Sequence, residues 1–235
     1  MKTGVSFFCP AYNDQDNIRS TVENVIGTLE SLEQDYEIII VEDGSPDGTA
    51  EVADVLAEEY PRVNVIHHST NRGYGGALRS GFSHAMNFDK VAYTDGDGQY
   101  DFAEFSLLLQ AYDSGCAVAG YRLNRADSRR RVIQTGMFGL LLKLLFRLNV
   151  RDVNCSMKLF SRETLNDIVI TSDSAFIDAE ILIKLERNGV EIRQVGVHHR
   201  PRLHGIASGA KLPVVLATIK DAFSLAFSRG KAGNR

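Results

Sequence analysis

The chain has 235 residues, 44% of them apolar and 24% charged, with a formal net charge of −4. That length and apolar content support one large domain, or one domain with an appendage, and an acidic chain without an aromatic-basic stripe argues against a nucleic-acid role. Cys9, Cys116 and Cys155 are scattered without ligand spacing, which argues against a disulfide framework or zinc site and suits a reducing cytosol.

Taken in order, the first half alternates strand and helix. Gly4 to Cys9 is an apolar strand. Asp16 or Asn17 caps a helix whose apolar residues Ile18, Val22, Val25, Ile26, Leu29 and Leu32 fall at helical spacing. Tyr36 to Val41 is a β-branched run, and Asp47 caps a second helix with Val52, Val55 and Leu56 on one face. Val63 to His67 is a third strand, Ala77 to Met86 a helix, Val91 to Thr94 a fourth strand, Phe102 to Tyr112 a helix and Ala117 to Tyr121 a fifth strand. Such alternation implies an α/β fold, a largely parallel sheet covered by helices on both faces. The second half is less regular. Arg122 to Arg131 reads as a basic loop and Gly136 to Leu148 as an apolar helix. Cys155 to Phe160 and Val190 to Val197 read as strands, with a helix from Ala179 to Arg187. His198 to Gly209 reads as a basic loop, and Val214 to Phe227 as a C-terminal amphipathic helix.

Polar motifs stand at the carboxyl ends of the strands, where ligands of such sheets bind. They are Pro10-Ala11-Tyr12-Asn13-Asp14, Glu42 to Thr49, Asn71 to Gly76, and Asp95-Gly96-Asp97-Gly98-Gln99. In an extended strand end, residues i and i+2 point the same way, so Asp95 and Asp97 can converge on one hard cation. Magnesium or manganese is often held by one or two carboxylates plus substrate phosphates. The other reading of this segment is an Asp/Gly turn; four polar motifs on one rim tip the balance toward a site. The glycines of Asn71 to Gly76 do not match the spacing of a P-loop or dinucleotide fingerprint and equally suit a tight connection.

Charge divides the chain. Residues 1–119 carry 6 Lys+Arg against 20 Asp+Glu, a net of −14; residues 120–235 carry 20 against 10, a net of +10. An acidic half that binds a cation and a basic half that meets anions is the reading this suggests. The opening Met1-Lys2-Thr3-Gly4 leads straight into a strand, with no signal-peptide pattern. No apolar run reaches the ~18 residues of a membrane span; the nearest, residues 213–227, is interrupted by Lys220 and Asp221. The expected location is the cytoplasm, with peripheral contact at the cytoplasmic membrane face left open. The stretch from Arg129 to Arg151 suits either a membrane interface or a core or dimer-packing helix, so a homodimer is also left open.

In order and spacing the four motifs resemble family 2 glycosyltransferases of the GT-A fold, above all dolichyl-phosphate mannosyltransferases and bacterial polyprenyl-phosphate sugar transferases. Val153 to Glu163 and Arg202 to Ser208 extend the resemblance to about residue 210. It implies a catalytic domain over residues 1–210, with a nucleotide-sugar half to residue 121 and an acceptor half from 122, followed by a C-terminal helix and tail from 211 to 235. It implies an inverting transfer of a hexose from a GDP- or UDP-sugar to a polyprenyl phosphate, with Mg2+ or Mn2+.

Carried over residue by residue, the resemblance puts Pro10, Tyr12, Asp14, Asp43, Asp95 and Gly96 at the nucleotide sugar. It puts Asp95, Asp97 and Gln99 at the metal. Asp97, Arg122 and Arg202 become catalytic, and Arg129, Arg131, Lys158, Glu180 and Arg200 face the acceptor or its phosphate. Asp14 stands where the family usually has glutamate, Glu42 where aspartate is common, and Ser156-Met157-Lys158 where relatives often have Gly-Phe followed by arginine. Two further readings stay open. One is a same-fold enzyme acting on a glycan hydroxyl, which needs a carboxylate base such as Asp178 or Glu180; Glu180 also suits a solvated helix face. The other is a catalytically silent binding module.

Overall fold

The computed structural model describes residues 2–124, 129–201 and 212–227, and in helix residues 129, 130 and 212 the backbone only. Seven strands form one sheet: β1 (Lys2–Ala11), β2 (Tyr36–Glu42), β3 (Val63–His67), β4 (Phe88–Tyr93), β5 (Ala117–Arg122), β6 (Lys158–Ser161) and β7 (Ile192–Val197). Their order is β3-β2-β1-β4-β6-β5-β7. β6 alone runs antiparallel to its neighbours β4 and β5; the other pairings are parallel. The helices are α1 (Ile18–Ser31), α2 (Thr49–Glu59), α3 (Gly73–His84), α4 (Phe105–Ala111), α5 (Arg129–Phe146), α6 (Arg162–Asn166), α7 (Ile177–Arg187) and α8 (Leu212–Phe227).

The near-continuous apolar strands follow from burial on both faces. Along β1 and β2, Phe7, Cys9, Ile38 and Ile40 join a core with Val22, Leu29, Leu56 and Leu108 from α1, α2 and α4. Their alternates Phe8, Ile39 and Val41 enter a second core with Leu78, Phe82, Phe176 and Leu182 from α3 to α7. Adjacent side chains of a strand point to opposite faces, so each strand feeds both cores. The chain leaves β1 toward β2 and β3, then returns to place β4 on the other side of β1. That reversal opens a crevice at the carboxyl ends of β1 and β4.

The expected α/β architecture is observed, with three local differences. The third helix begins at Gly73 rather than Ala77, because the glycines of Asn71 to Gly76 let its first turn lie against another backbone: a Cβ on Gly75 would sit 2.4 Å from the Asp173 carbonyl carbon. The expected basic loop turns helical at Arg129, so α5 takes in the three arginines. α6 was not foreseen, and five residues are too few for a periodic signal.

α5 and α8 lie against each other at the surface. Along α5, Ile133, Met137, Leu140 and Leu144 make one exposed stripe, from 58% (Leu140) to 74% (Leu144), and α8 adds Leu216 and Phe227. Among the described residues no helix is long and apolar enough to cross a membrane.

α3 seats on the sheet through Gly81, where a Cβ would lie 2.1 Å from Phe8 Cδ2. The Phe8 ring has no room to retreat, held edge-on to Phe82 at 4.8 Å and stacked on Tyr93 at 5.2 Å. Alanine is favoured over glycine in a helix by up to ~1 kcal/mol, whereas overpacking a core costs ~1–3 kcal/mol. Gly81→Ala is therefore expected to lower stability by roughly 1–2 kcal/mol in urea unfolding; an unchanged midpoint would contradict this contact.

Candidate active site

The four strand-end motifs meet at one rim and are tied to one another. The Asp14 N–H donates to Thr49 Oγ1 at 2.9 Å, and Gly48 N–H to Gln15 Oε1 at 2.7 Å. The Asp43 N–H donates to the Ala11 carbonyl at 3.0 Å. Thr21 Oγ1 donates to the Gly96 carbonyl at 3.2 Å, which anchors the Asp95–Gln99 loop on α1. Gly44 takes a φ of +66°, and a Cβ there would sit 2.8 Å from the Asn71 nitrogen, so this position of the β2 loop needs glycine on both counts. Tyr12 is exposed on the rim, with Pro10 half-buried and Asp14 buried beneath it.

Each acid of the rim has a different commitment. Glu42 accepts from the Ser45 N–H at 2.5 Å and lies 3.3 Å from His67 Nδ1, so it closes the β2 turn. Burial pushes its carboxyl up, and these donors more than reverse that, leaving it below the ordinary glutamate value. Asp43 Oδ1 accepts from the Arg72 N–H at 2.8 Å and lies 2.6 Å from His68 Nδ1. Asp97 Oδ1 accepts from the Gln99 N–H at 3.1 Å.

Asp95 is the outlier. Its Oδ1 is buried with no hydrogen-bond partner. Desolvation first, then the charges of Asp97 and Asp178, push its carboxyl up to about 7, against hydrogen bonds from Ser156 and Tyr74. A partnerless, desolvated carboxylate oxygen beside a second buried carboxylate is the donor set of a hard divalent cation. Among the described residues no cluster of three or more His, Cys, Asp or Glu could hold an ion alone, so Asp95 and Asp97 fit an ion that keeps water or phosphate oxygens as further ligands.

The residues expected to face the acceptor are placed differently. Lys158 is fully buried; its ammonium lies 2.6 Å from Asp178 Oδ1 and 3.0 Å from the Tyr93 hydroxyl. It has no open face for an acceptor, and the expected contact is corrected: β6 lies inside the sheet, so its side chains meet the core. Glu180 is not on a solvated face either. It accepts from Thr171 N–H at 3.0 Å, Ser172 N–H at 2.8 Å and Lys184, which binds residues 171–172 to α7 and uses up the carboxylate expected at the acceptor. Burial raises its carboxyl, and Lys184 with Thr171 and Ser172 lower it further, to below the ordinary value. Asp178, the other candidate base, is taken by Lys158 and Tyr93.

Arg122 forms a two-point ion pair with Asp152 (Nε–Oδ2 2.6 Å, Nη2–Oδ1 2.8 Å) and its side chain is 3% exposed. Its charge is matched within the protein rather than held open for phosphate. Gln99 donates from Nε2 to the Arg200 carbonyl at 3.1 Å, and its own carbonyl accepts from the Arg200 N–H at 2.7 Å. With His198 bonded to Glu104, and the exposed Arg200 side chain to Asp101, residues 198–200 form a strap along the Asp95–Glu104 segment. His199 is buried edge-on to Tyr100. Arg131 is half-buried on α5, the side chain of Arg129 and the whole of Arg202 lie outside the described residues, and His68 and Asp152 join the site without a motif of their own.

A twisted α/β sheet with paired aspartates at the end of β4 defines the fold as GT-A-like, and solved structures agree. Glucosyl-3-phosphoglycerate synthase from Mycobacterium tuberculosis, crystallised with Mn2+, uridine diphosphate and glucosyl-3-phosphoglycerate, superposes with a TM-score of 0.70 at 21% identity, over 94% of this chain and 80% of that one. Mannosyl-3-phosphoglycerate synthase from Rubrobacter xylanophilus gives 0.71 at 17% identity, over 99% and 76%. Residues 6–169 match the family described as Glycosyl transferase family 2, and the chain belongs to that family.

Among curated relatives, glycosyltransferase AglD of Haloferax volcanii is 34% identical over 208 residues, 84% of this chain and 33% of that protein. A dolichyl-phosphate beta-glucosyltransferase of Trichomonas vaginalis is 29% identical, covering 82% of this chain and 64% of that one. The undecaprenyl-phosphate mannosyltransferase of Micrococcus luteus is 28% identical, covering 80% of each. The chain thus spans a third and just under two thirds of the length of the first two.

Removing one partner of a buried ion pair costs ~3–5 kcal/mol. Lys158→Met should lose about that much stability in urea unfolding, with part of it recovered when Asp178→Asn is added. Full stability combined with a raised acceptor KM would instead return Lys158 to the acceptor.

Proposed function

We propose that this protein transfers a hexose from a nucleoside-diphosphate sugar to a polyprenyl phosphate, with inversion, using Mg2+ or Mn2+. The observation that carries the reading is the desolvated, partnerless Oδ1 of Asp95 beside Asp97 at the carboxyl end of β4. Relatives named for dolichyl phosphate and undecaprenyl phosphate support the acceptor class.

In this reading the rim loops 10–14 and 42–49 hold the nucleoside. Asp95 and Asp97 hold the cation under the diphosphate, and Gln99 acts by strapping residues 198–200 rather than as a ligand. When bound, the cation supplies Lewis-acid stabilisation of charge on the leaving diphosphate. An acceptor phosphate oxygen forms the new bond to the anomeric carbon as the bond to the diphosphate oxygen breaks, and a single displacement inverts that carbon. No general base is needed, because a phosphate monoester carries ~1.5 to 2 negative charges near pH 7. The commitments of Asp178 and Glu180 favour this acceptor over a hydroxyl, for which neither offers an open carboxylate. The exposed α5 stripe, on a helix whose sequence opens Arg129-Arg130-Arg131, suits an anionic lipid surface that presents the acceptor.

The test is transfer of radiolabel from GDP-mannose and UDP-glucose into the organic phase, with Mn2+ and polyprenyl phosphate in anionic vesicles. One donor should label the lipid, and Asp97→Ala should cut the rate at least about a hundredfold. Replacing Ile133, Met137 and Leu144 by serine should abolish vesicle binding without changing nucleotide binding. Label in a water-soluble glycan, with no polyprenyl phosphate accepted, would replace the lipid acceptor by a hydroxyl one. Full biological function in Asp97→Ala would favour a silent binding module.

A further inference from the structure

The register of β2 and β3 pairs Glu42 with His67, and beyond that rung the His68 N–H donates to the Glu42 carbonyl at 2.9 Å. Side chains alternate along a strand, so the two histidines part company. His67 turns to Glu42 and Asp54 and is 42% exposed at its side chain, whereas His68 turns inward and is 2% exposed. His68 Nδ1 lies 2.6 Å from Asp43 Oδ1, and its Nε2 lies 2.8 Å from Ser80 Oγ on α3.

An ionised aspartate only accepts, so Nδ1 carries a proton and donates it to Asp43 Oδ1, while Nε2 shares a hydrogen bond with the Ser80 hydroxyl, which can donate or accept. Asp43 Oδ1 then has two donors, His68 and the Arg72 N–H. Asp43 Oδ2 makes no hydrogen bond and is not sealed in the interior. One carboxylate oxygen is thereby fixed by the protein and the other is left at the rim, able to accept one N–H.

We infer that His68, anchored by Ser80, is a positioning residue: it aims Asp43 Oδ2 at the ring N–H of a nucleobase and so sets which donor the pocket takes. The inference rests on the nucleotide-sugar reading above and deepens it. Uracil and guanine present a protonated ring nitrogen on their pairing edges. Cytosine and adenine present a bare one, which would face Oδ2 lone pair to lone pair. Donors built on uridine or guanosine diphosphate are selected on this account, and those built on cytidine or adenosine diphosphate are refused. His68 touches no substrate; it acts through the orientation of Asp43.

The experiment is calorimetric titration of the protein with GDP, UDP, ADP, CDP and base-free pyrophosphate, each with saturating Mn2+. The wild type should bind GDP or UDP at least about tenfold tighter than ADP and CDP, the scale of one hydrogen bond to a charged group. In His68→Phe that preference should collapse while pyrophosphate affinity stays unchanged. His68→Asn should keep it, because the amide nitrogen takes the place of Nδ1; His68→Gln, which mimics Nε2, should not. Preference retained in His68→Phe would overturn the role of His68 and leave the donor reading intact. Loss of pyrophosphate binding together with the preference, in all three variants, would reduce His68 to a structural residue. A wild type that binds no nucleoside diphosphate would overturn the donor reading and this inference together.

Discussion

The pairing of Lys158 with Asp178 sits beneath everything the rim does. Both are buried, one on the antiparallel strand β6 and the other on α7, and the Tyr93 hydroxyl at the end of β4 joins them. The contact staples three elements at the point where β4 hands over to Asp95. It also sets the electrostatics there. Asp178 is close enough to push the Asp95 carboxyl up, and Asp97 pushes it harder. If Lys158 did not balance Asp178, three carboxylates would share one desolvated region, a costly arrangement in low dielectric. With Lys158 in place, Asp178 is balanced, and Asp95 keeps a buried carboxylate oxygen without a protein partner.

The remaining acids and bases are sorted by the same logic of commitment. Arg122 is matched by Asp152 and Lys184 by Glu180, as Lys158 is by Asp178. Each of these pairs takes one acid with one base from the second half and leaves its net charge unchanged, but together they withdraw Arg122, Lys158 and Lys184 from the cations open to a phosphate. On the acidic side, Glu42 is spent on its own turn, and Asp43 has one oxygen spent and one left. Oxygens without protein partners, rather than acidic residues in number, mark where a ligand's hydrogens or a metal belong.

The sheet was legible because its strands are short apolar runs bounded by turn residues and separated by helices of regular period. β1 to β5 all fall where pattern alone puts them, within a few residues at the ends. The rim was legible for a related reason: Asp, Asn, Gly and Pro gathered after four successive strands cannot all be turns. The partners were not legible. Nothing local distinguishes Lys158, which is buried against an aspartate twenty positions on, from a lysine waiting at a surface. Glu180 lies on a helix whose period leaves its face open to interpretation until residues 171–172 fold over it. Asp152 and His68 carry no motif, and their roles exist only through contacts with Arg122 and Asp43 that tertiary structure creates. The acceptor role that the resemblance to family 2 glycosyltransferases implies for Lys158 does not fit its full burial, at a position where this chain departs from the family's usual residues.

The proposed cation site offers two carboxylates, Asp95 and Asp97, and needs phosphate oxygens to complete it. Its most direct test is a Mn2+ titration followed by electron paramagnetic resonance, with and without a nucleoside diphosphate. Binding should be weak for Mn2+ alone, at least about tenfold tighter with GDP or UDP present as phosphate oxygens complete the coordination, and absent in Asp97→Ala under both conditions. Tight Mn2+ binding that ignores the nucleotide, or that survives Asp97→Ala, would contradict it.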